Sequence, residues 1–226
     1  MKTFKILGLL LSYPDPEWVT HLRECERVLA QEGILPKRPL SAVLAFIAQL
    51  KTADIYDAQE QYVATFDRGR TNCLHLFEHI HGDSRDRGQA MVNLAEAYAE
   101  KGLYIDRAEL PDYIPLFLEF LSLCPADEAV ALLGEPIDVI AAIGARLEKR
   151  NSPYAALFDS LVALARVKPD PSWISKIMAE SPEDRSLEAL DREWEEAAAF
   201  DGQPAKSSCD GCTARPSNGL NVTINQ

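Results

Sequence analysis

An all-α fold, a compact bundle of about ten helices followed by a disordered C-terminal tail, is what this sequence predicts. Apolar residues recur at helical spacing from near the first residue to about residue 200. No run of alternating, β-branched residues argues for a sheet. Glycines at 33 and 102 stand where helical patterns stop, as C-terminal caps do.

The chain opens with Lys2, Lys5 and an apolar run at residues 6–11. This imitates a signal peptide, but it ends at Ser12-Tyr13-Pro14-Asp15-Pro16 with no small-residue cleavage site and is too short to span a bilayer. It reads as the first helix of a cytoplasmic protein. Residues 16–32 read as one helix with Trp18, Leu22, Cys25, Val28 and Leu29 on a face. A short apolar helix follows Pro39 over 40–50. Residues 53–66 place Ile55, Tyr62 and Phe66 on one side, and 84–101 present Met91, Leu94 and Tyr98 after an Asp/Ser cap. Further helices are expected at 112–124, 126–133, 136–149, 153–166, 171–179 and 186–199. After Phe200 the composition turns to Gly, Pro, Ser, Asn and Thr, so a helical domain at 1–200 and a flexible tail at 201–226 are expected.

Composition narrows the function. With 23 Lys+Arg against 35 Asp+Glu the net charge is −12, which argues against nucleic acid or an anionic membrane as partner and favours a basic one. The five cysteines, at 25, 73, 124, 209 and 212, are odd in number and scattered, as suits a reducing compartment. No phosphate loop, dinucleotide fingerprint or nucleophile elbow is present, and no cofactor is implied.

The segment 109–124, ELPDYIPLFLEFLSLC, departs from a plain core helix. With Asp112 as N-cap, Pro115 falls in the first turn, where its missing N–H costs nothing. Leu116, Phe117, Leu118, Phe120, Leu121 and Leu123 cover nearly the whole circumference, the pattern of a helix in the middle of a bundle. Asp112 and Glu119 interrupt it. A carboxylate there needs a cation, donors or water, so both are expected either to be paired internally or to face a wet groove that receives a basic amphipathic peptide.

Three of the four histidines, 75, 79 and 81, lie beside Cys73 in TNCLHLFEHIHGDSRDRG (71–88). His75-Leu76-Phe77-Glu78-His79 matches H-x-x-E-H. If helical throughout, it would put two imidazoles on one face for a zinc ion with Glu78 as base, the alternative reading of a zinc-dependent hydrolase. The ordinary alternative buries Leu76, Phe77 and Ile80 and leaves the histidines at the helix end. Cys209-Asp210-Gly211-Cys212 is half a metal site with no second pair at ribbon spacing.

The blocks YVATFDRGRTNCLHLFEHIHGDSRDRGQAM (62–91) and ELPDYIPLFLEFL (109–121) closely resemble the nitrate reductase assembly chaperones, within the wider redox-enzyme maturation chaperones. The resemblance covers residues 1–200. It implies a cytoplasmic, all-helical, non-catalytic chaperone that binds the N-terminal segment of the nitrate reductase catalytic (α) subunit. Such a protein holds the αβ complex off the membrane until molybdenum cofactor and iron–sulfur cluster are inserted, with transient contact to molybdenum-cofactor biosynthesis proteins. By motif position the peptide site falls on Tyr62, Phe66, Asp112, Tyr113 and Glu119, and Asp67 and Arg70 beside that aromatic pair are expected to belong to it as well. Asp67-Arg68-Gly69-Arg70 stands where relatives carry a Gly-Pro turn, and Tyr113 where many carry His.

Overall fold

The computed structural model describes residues 1–68, 70–80, 85–105 and 109–180. They lie within a unit that spans Met1–Glu183; the second unit, Asp184–Gln226, is outside the described residues, and with it the expected helix at 186–199, the tail and Cys209/Cys212. Twelve α-helices and no strand appear among the described residues, as expected for an all-α chain. In order they are α1 (Lys2–Leu10), α2 (Pro16–Val19), α3 (Leu22–Glu32), α4 (Lys37–Thr52), α5 (Ile55–Phe66), α6 (Leu76–Ile80), α7 (Arg85–Glu100), α8 (Ile114–Leu123), α9 (Ala126–Leu133), α10 (Ile137–Lys149), α11 (Ala155–Leu164) and α12 (Pro171–Glu180). None is long and apolar enough to cross a membrane.

The expected helix over 16–32 is two helices. Asp15 caps α2 by accepting the Glu17 N–H at 2.7 Å, and the Thr20 hydroxyl donates to the Glu17 carbonyl at 2.7 Å. His21 then leaves helical geometry at ψ 4°. A Thr side chain taking a helical carbonyl competes with the backbone ladder, and the break re-aims the chain so that Leu22, Cys25 and Leu29 are buried. Gly33 closes α3 at φ 63° and Gly102 follows α7 at φ 77°, as their positions predict. Pro39 sits inside the first turn of α4 instead of preceding it, because a helix has no use for its earliest N–H groups.

Long-range capping fixes α1. No side chain in its own first turn does so; the Glu32 carboxylate, at the end of α3, accepts the Lys2 N–H at 2.8 Å, the Thr3 N–H at 2.6 Å and the Thr3 hydroxyl at 2.6 Å. The Met1 ammonium donates to the Ser122 carbonyl at 2.9 Å, so the start of α1 is tied to the end of α3 and to the end of α8. α8 itself is buried on most sides through Ile114, Pro115, Phe117, Leu118, Phe120 and Leu121, as its composition predicts. Its open edge carries Glu119, paired with Lys5 of α1 at 2.9 Å and exposed.

Candidate functional site

The site forms where the segment before α6 meets the segment before α8. His75 and Tyr113 make an isolated antiparallel bridge, with the Ile114 N–H donating to the Leu74 carbonyl at 2.8 Å and the Leu76 N–H to the Asp112 carbonyl at 3.0 Å. This clasp corrects the expected capping. Tyr113, not Asp112, is the N-cap of α8, and Pro115 stands at its second position. The Asp112 carboxylate turns the other way and accepts the Phe77 N–H at 3.0 Å, which satisfies an orphan donor at the start of α6. Its other oxygen lies 3.4 Å from His75 Nδ1. Asp112 is wholly buried. The expectation that it faces a wet groove is therefore corrected: polar groups of its own chain take its charge.

Aromatic rings pack on the other side of the clasp. Tyr62 and Tyr113 share a hydroxyl–hydroxyl hydrogen bond of 3.1 Å, and the Tyr113 and His75 rings lie 5.5 Å apart. Tyr62 stacks with Phe66 at 5.0 Å and meets Tyr13 edge-on at 5.6 Å, geometries in which aromatic pairs attract beyond their buried area. Phe66 is buried and forms the floor, whereas Tyr13 is 46% exposed. Two bonds hold the Tyr13 loop in place: the Trp18 indole donates to the Tyr13 carbonyl at 3.0 Å, and the Gln59 amide to the Pro14 carbonyl at 2.8 Å.

Two carboxylates rim this notch. Asp67 follows α5 directly and is exposed; partial burial pushes its carboxyl up, with His75 opposing. Glu109 approaches His75 Nε2 to 4.0 Å. The hydrogen bond to Asp112 raises the His75 pKa above its ordinary value, burial opposes this, and the charges of Asp112, Glu109 and Glu78 add to the rise. A raised pKa in the fold means that protonated His75 stabilises it fully below its unfolded value of about 6.5, and that this contribution is lost as pH rises through the folded value. His75→Gln is therefore expected to cost more stability at about pH 5.5 than at about pH 8.5. Urea unfolding at the two pH values checks this, and an equal loss at both rules out the coupling.

The metal reading fails on geometry. α6 begins at Leu76, so His75 precedes the helix and faces Asp112. His79 Nε2 lies 2.9 Å from the Cys73 carbonyl, and burial lowers its pKa. Glu78 accepts from the Cys73 thiol at 3.0 Å and from Arg87 at 3.3 Å. Burial pushes the Cys73 thiol up to about 12, so this sulfur is an inert donor. No three His, Cys, Asp or Glu side chains converge on a metal position among the described residues.

Of the seven residues expected at the peptide site, Tyr62, Phe66, Asp67, Asp112 and Tyr113 gather here. Glu119 is engaged elsewhere, at the α1–α8 seam. The backbone of Arg70 lies in a short 3-10 turn, Arg70–Asn72, while its side chain is outside the described residues, as is His81. Sequence reasoning missed Tyr13, Glu109 and the pairing of His75 with Asp112. A tyrosine directly before Pro14 at the head of the loop Ser12-Tyr13-Pro14-Asp15-Pro16 is the one signal that points to Tyr13.

Comparison with known proteins places this geometry in context. The family described as nitrate reductase delta subunit matches residues 33–160. The nitrate reductase molybdenum cofactor assembly chaperone NarJ of Escherichia coli K12 is 44% identical over 191 residues, 84% of this chain and 81% of that protein. The probable assembly chaperone NarW of the same strain is 40% identical over 211 residues, 93% and 88% of the two chains. A probable NarJ of Bacillus subtilis is 32% identical over 162 residues, 71% and 86%.

Proposed function

The chain belongs to the nitrate reductase delta subunit family, and we propose that it works by holding the N-terminal segment of the catalytic (α) subunit in the notch around Tyr113. It is a NarJ-like assembly chaperone for nitrate reductase, active in maturation of the molybdenum enzyme. In this reading it is not a catalyst. It keeps the immature αβ complex in the cytoplasm while molybdenum cofactor and iron–sulfur cluster are inserted, in transient contact with the proteins that make the cofactor.

The observation that supports the peptide site is the meeting of Tyr13, Tyr62, Tyr113 and His75 with a rim of Asp67 and Glu109. Tyrosine faces bind a lysine or arginine by cation–π attraction. Rim carboxylates steer a basic segment inward and fix its direction. Asp112 serves from beneath, as a positioning residue that holds His75 and α6. Phe66 supports the floor, and Asp67 supplies a charge at the rim.

Calorimetry with a peptide copying the first residues of the cognate α subunit tests the proposal. The Asp67→Asn, Glu109→Gln double variant is expected to bind about tenfold more weakly at low salt and to show a flatter salt dependence. Unchanged affinity removes the rim from the site. Absence of binding to the wild-type protein overturns the N-terminal-segment reading itself.

A further inference from the structure

The stretch that leads into α6 is tied to α10, α5, α6 and α8 in turn. Arg146 of α10 donates to the Thr71 carbonyl at 2.7 Å, and the Asn72 amide donates to the Thr65 carbonyl of α5 at 3.3 Å. His79 of α6 donates from Nε2 to the Cys73 carbonyl at 2.9 Å, and the Ile114 N–H of α8 donates to the Leu74 carbonyl at 2.8 Å. The Cys73 thiol adds a bond to Glu78 at 3.0 Å. Residues 71–74 are thus a junction, and His75, which pairs with Tyr113 in the clasp, follows it directly. Where the junction sits decides where those two rings sit.

Arg146 carries the junction further. It is 3% exposed, and its Nη2 arm donates to the Ile177 carbonyl of α12 at 3.4 Å. A guanidinium is a rigid planar fork whose arms do not turn independently, so α12 helps to set the angle that Arg146 presents to Thr71. A buried donor that loses an acceptor pays for the loss until it finds another, so a shift of α12 is felt at the junction. The helix itself is seated by Asp138, whose carboxylate accepts the Asp170 N–H at 2.7 Å, and by Trp173, which packs partly buried against the core.

We propose that Arg146 is a positioning residue for the notch, and that through it the seating of α12 sets how firmly residues 71–74 are held. α12 touches none of the rings in the notch by this account; it acts on them through one guanidinium and the backbone it grips. The coupling is a property of this chain alone, whereas its effect on affinity rests on the reading that the client's segment binds in the notch.

Cys73 reports on the junction without any client. Burial and the bond to Glu78 hold its thiol protonated and unreactive while the junction is closed, so its alkylation measures local opening. Cys25 and Cys124 are buried elsewhere and report on the rest of the fold. The test is alkylation of the full chain by N-ethylmaleimide, followed cysteine by cysteine by mass spectrometry. Trp173→Ala unseats α12 and is expected to raise the Cys73 rate about tenfold, with Cys25 and Cys124 at wild-type rates. Arg146→Met is expected to raise the Cys73 rate at least as much, and Trp173→Ala to add nothing in that background, because the link is already cut. If Arg146→Met does not fold, Arg146→Lys, which keeps the charge but not the fork, serves as the background with the same expectation. An unchanged Cys73 rate in Trp173→Ala, an equal rise at every buried cysteine, or full additivity of the two substitutions overturns the coupling. Calorimetry with a peptide copying the first residues of the cognate α subunit then reads the notch, and Trp173→Ala is expected to bind roughly fivefold more weakly. Wild-type affinity in that variant despite fast Cys73 alkylation removes Arg146 as a positioning residue. Absence of binding to the wild-type protein overturns the notch reading, while the alkylation rates still decide the coupling.

Discussion

Replacing Asp112 by alanine is expected to cost about 3 kcal/mol of folding stability, and asparagine at the same position roughly 1 kcal/mol. The carboxylate is wholly buried and accepts the Phe77 N–H at 3.0 Å. Alanine takes this acceptor away from the start of α6 at a wholly buried position, and it strips His75 of the group that favours its protonated form. Each loss falls in the range that makes removal of one buried partner expensive. Asparagine keeps an oxygen for Phe77 and offers its amide to a neutral His75 Nδ1, so the geometry survives while the charge is lost. In a chain of this size a 3 kcal/mol loss lowers the melting temperature by roughly 10 °C. Calorimetric melts of the two variants decide the matter, and equal stability of alanine and wild type removes Asp112 as the cap of α6.

This pair of variants also separates contact from support. If Asp112 touches the client segment, asparagine weakens binding as much as alanine does at a temperature where both are folded. If it only holds His75 and α6 in place, asparagine retains most of the affinity. The burial of Asp112 favours the second outcome.

The helices were legible because burial at helical spacing leaves a mark in the chain; Tyr62, Phe66, Leu94 and Tyr98 all pack where their spacing puts them. The break at Thr20 and His21 was not, since it depends on a hydroxyl choosing a carbonyl that an uninterrupted helix would have used. Asp112 was misplaced for a related reason. An aspartate just before a helix is read as the cap of that helix, and nothing local says that its carboxylate reaches across a two-residue bridge to a different one. The H-x-x-E-H pattern failed because it presumes a helix already running at His75, whereas α6 starts one residue later. The notch brings together the loop before α2, the end of α5 and the clasp between α6 and α8. Its residue types were visible in the sequence, but their meeting is a property of the fold. Glu119 shows the opposite case: its need for a cation was legible, and the cation is Lys5 of α1 rather than a client's.

Gly8→Val is expected to destabilise the protein by about 3 kcal/mol and to weaken client binding as well. A Cβ at position 8 would lie 2.9 Å from the Pro115 carbonyl oxygen and 3.2 Å from Leu118 Cβ. The first neighbour is backbone at the start of α8 and has no rotamer with which to retreat, so α1 and α8 have to part. Glycine inside a helix costs about 1 kcal/mol against alanine, and here the cost is offset by the approach it permits. Gly8→Ala accordingly combines a gain in helix propensity with a clash, and its net loss is smaller, about 1 kcal/mol. Parting the helices strains two ties along the seam, Lys5 to Glu119 and Met1 to the Ser122 carbonyl, and with them the cap that Glu32 of α3 places on the first N–H groups of α1. It also moves the chain that leaves α1 for Tyr13, whose ring rests edge-on against Tyr62. Loss of affinity in Gly8→Ala beyond its loss of stability, measured at a temperature where it is fully folded, therefore reports the position of Tyr13. A valine variant that melts like the wild type shows instead that the seam opens freely, and then the close approach of α1 to α8 has no part in shaping the site.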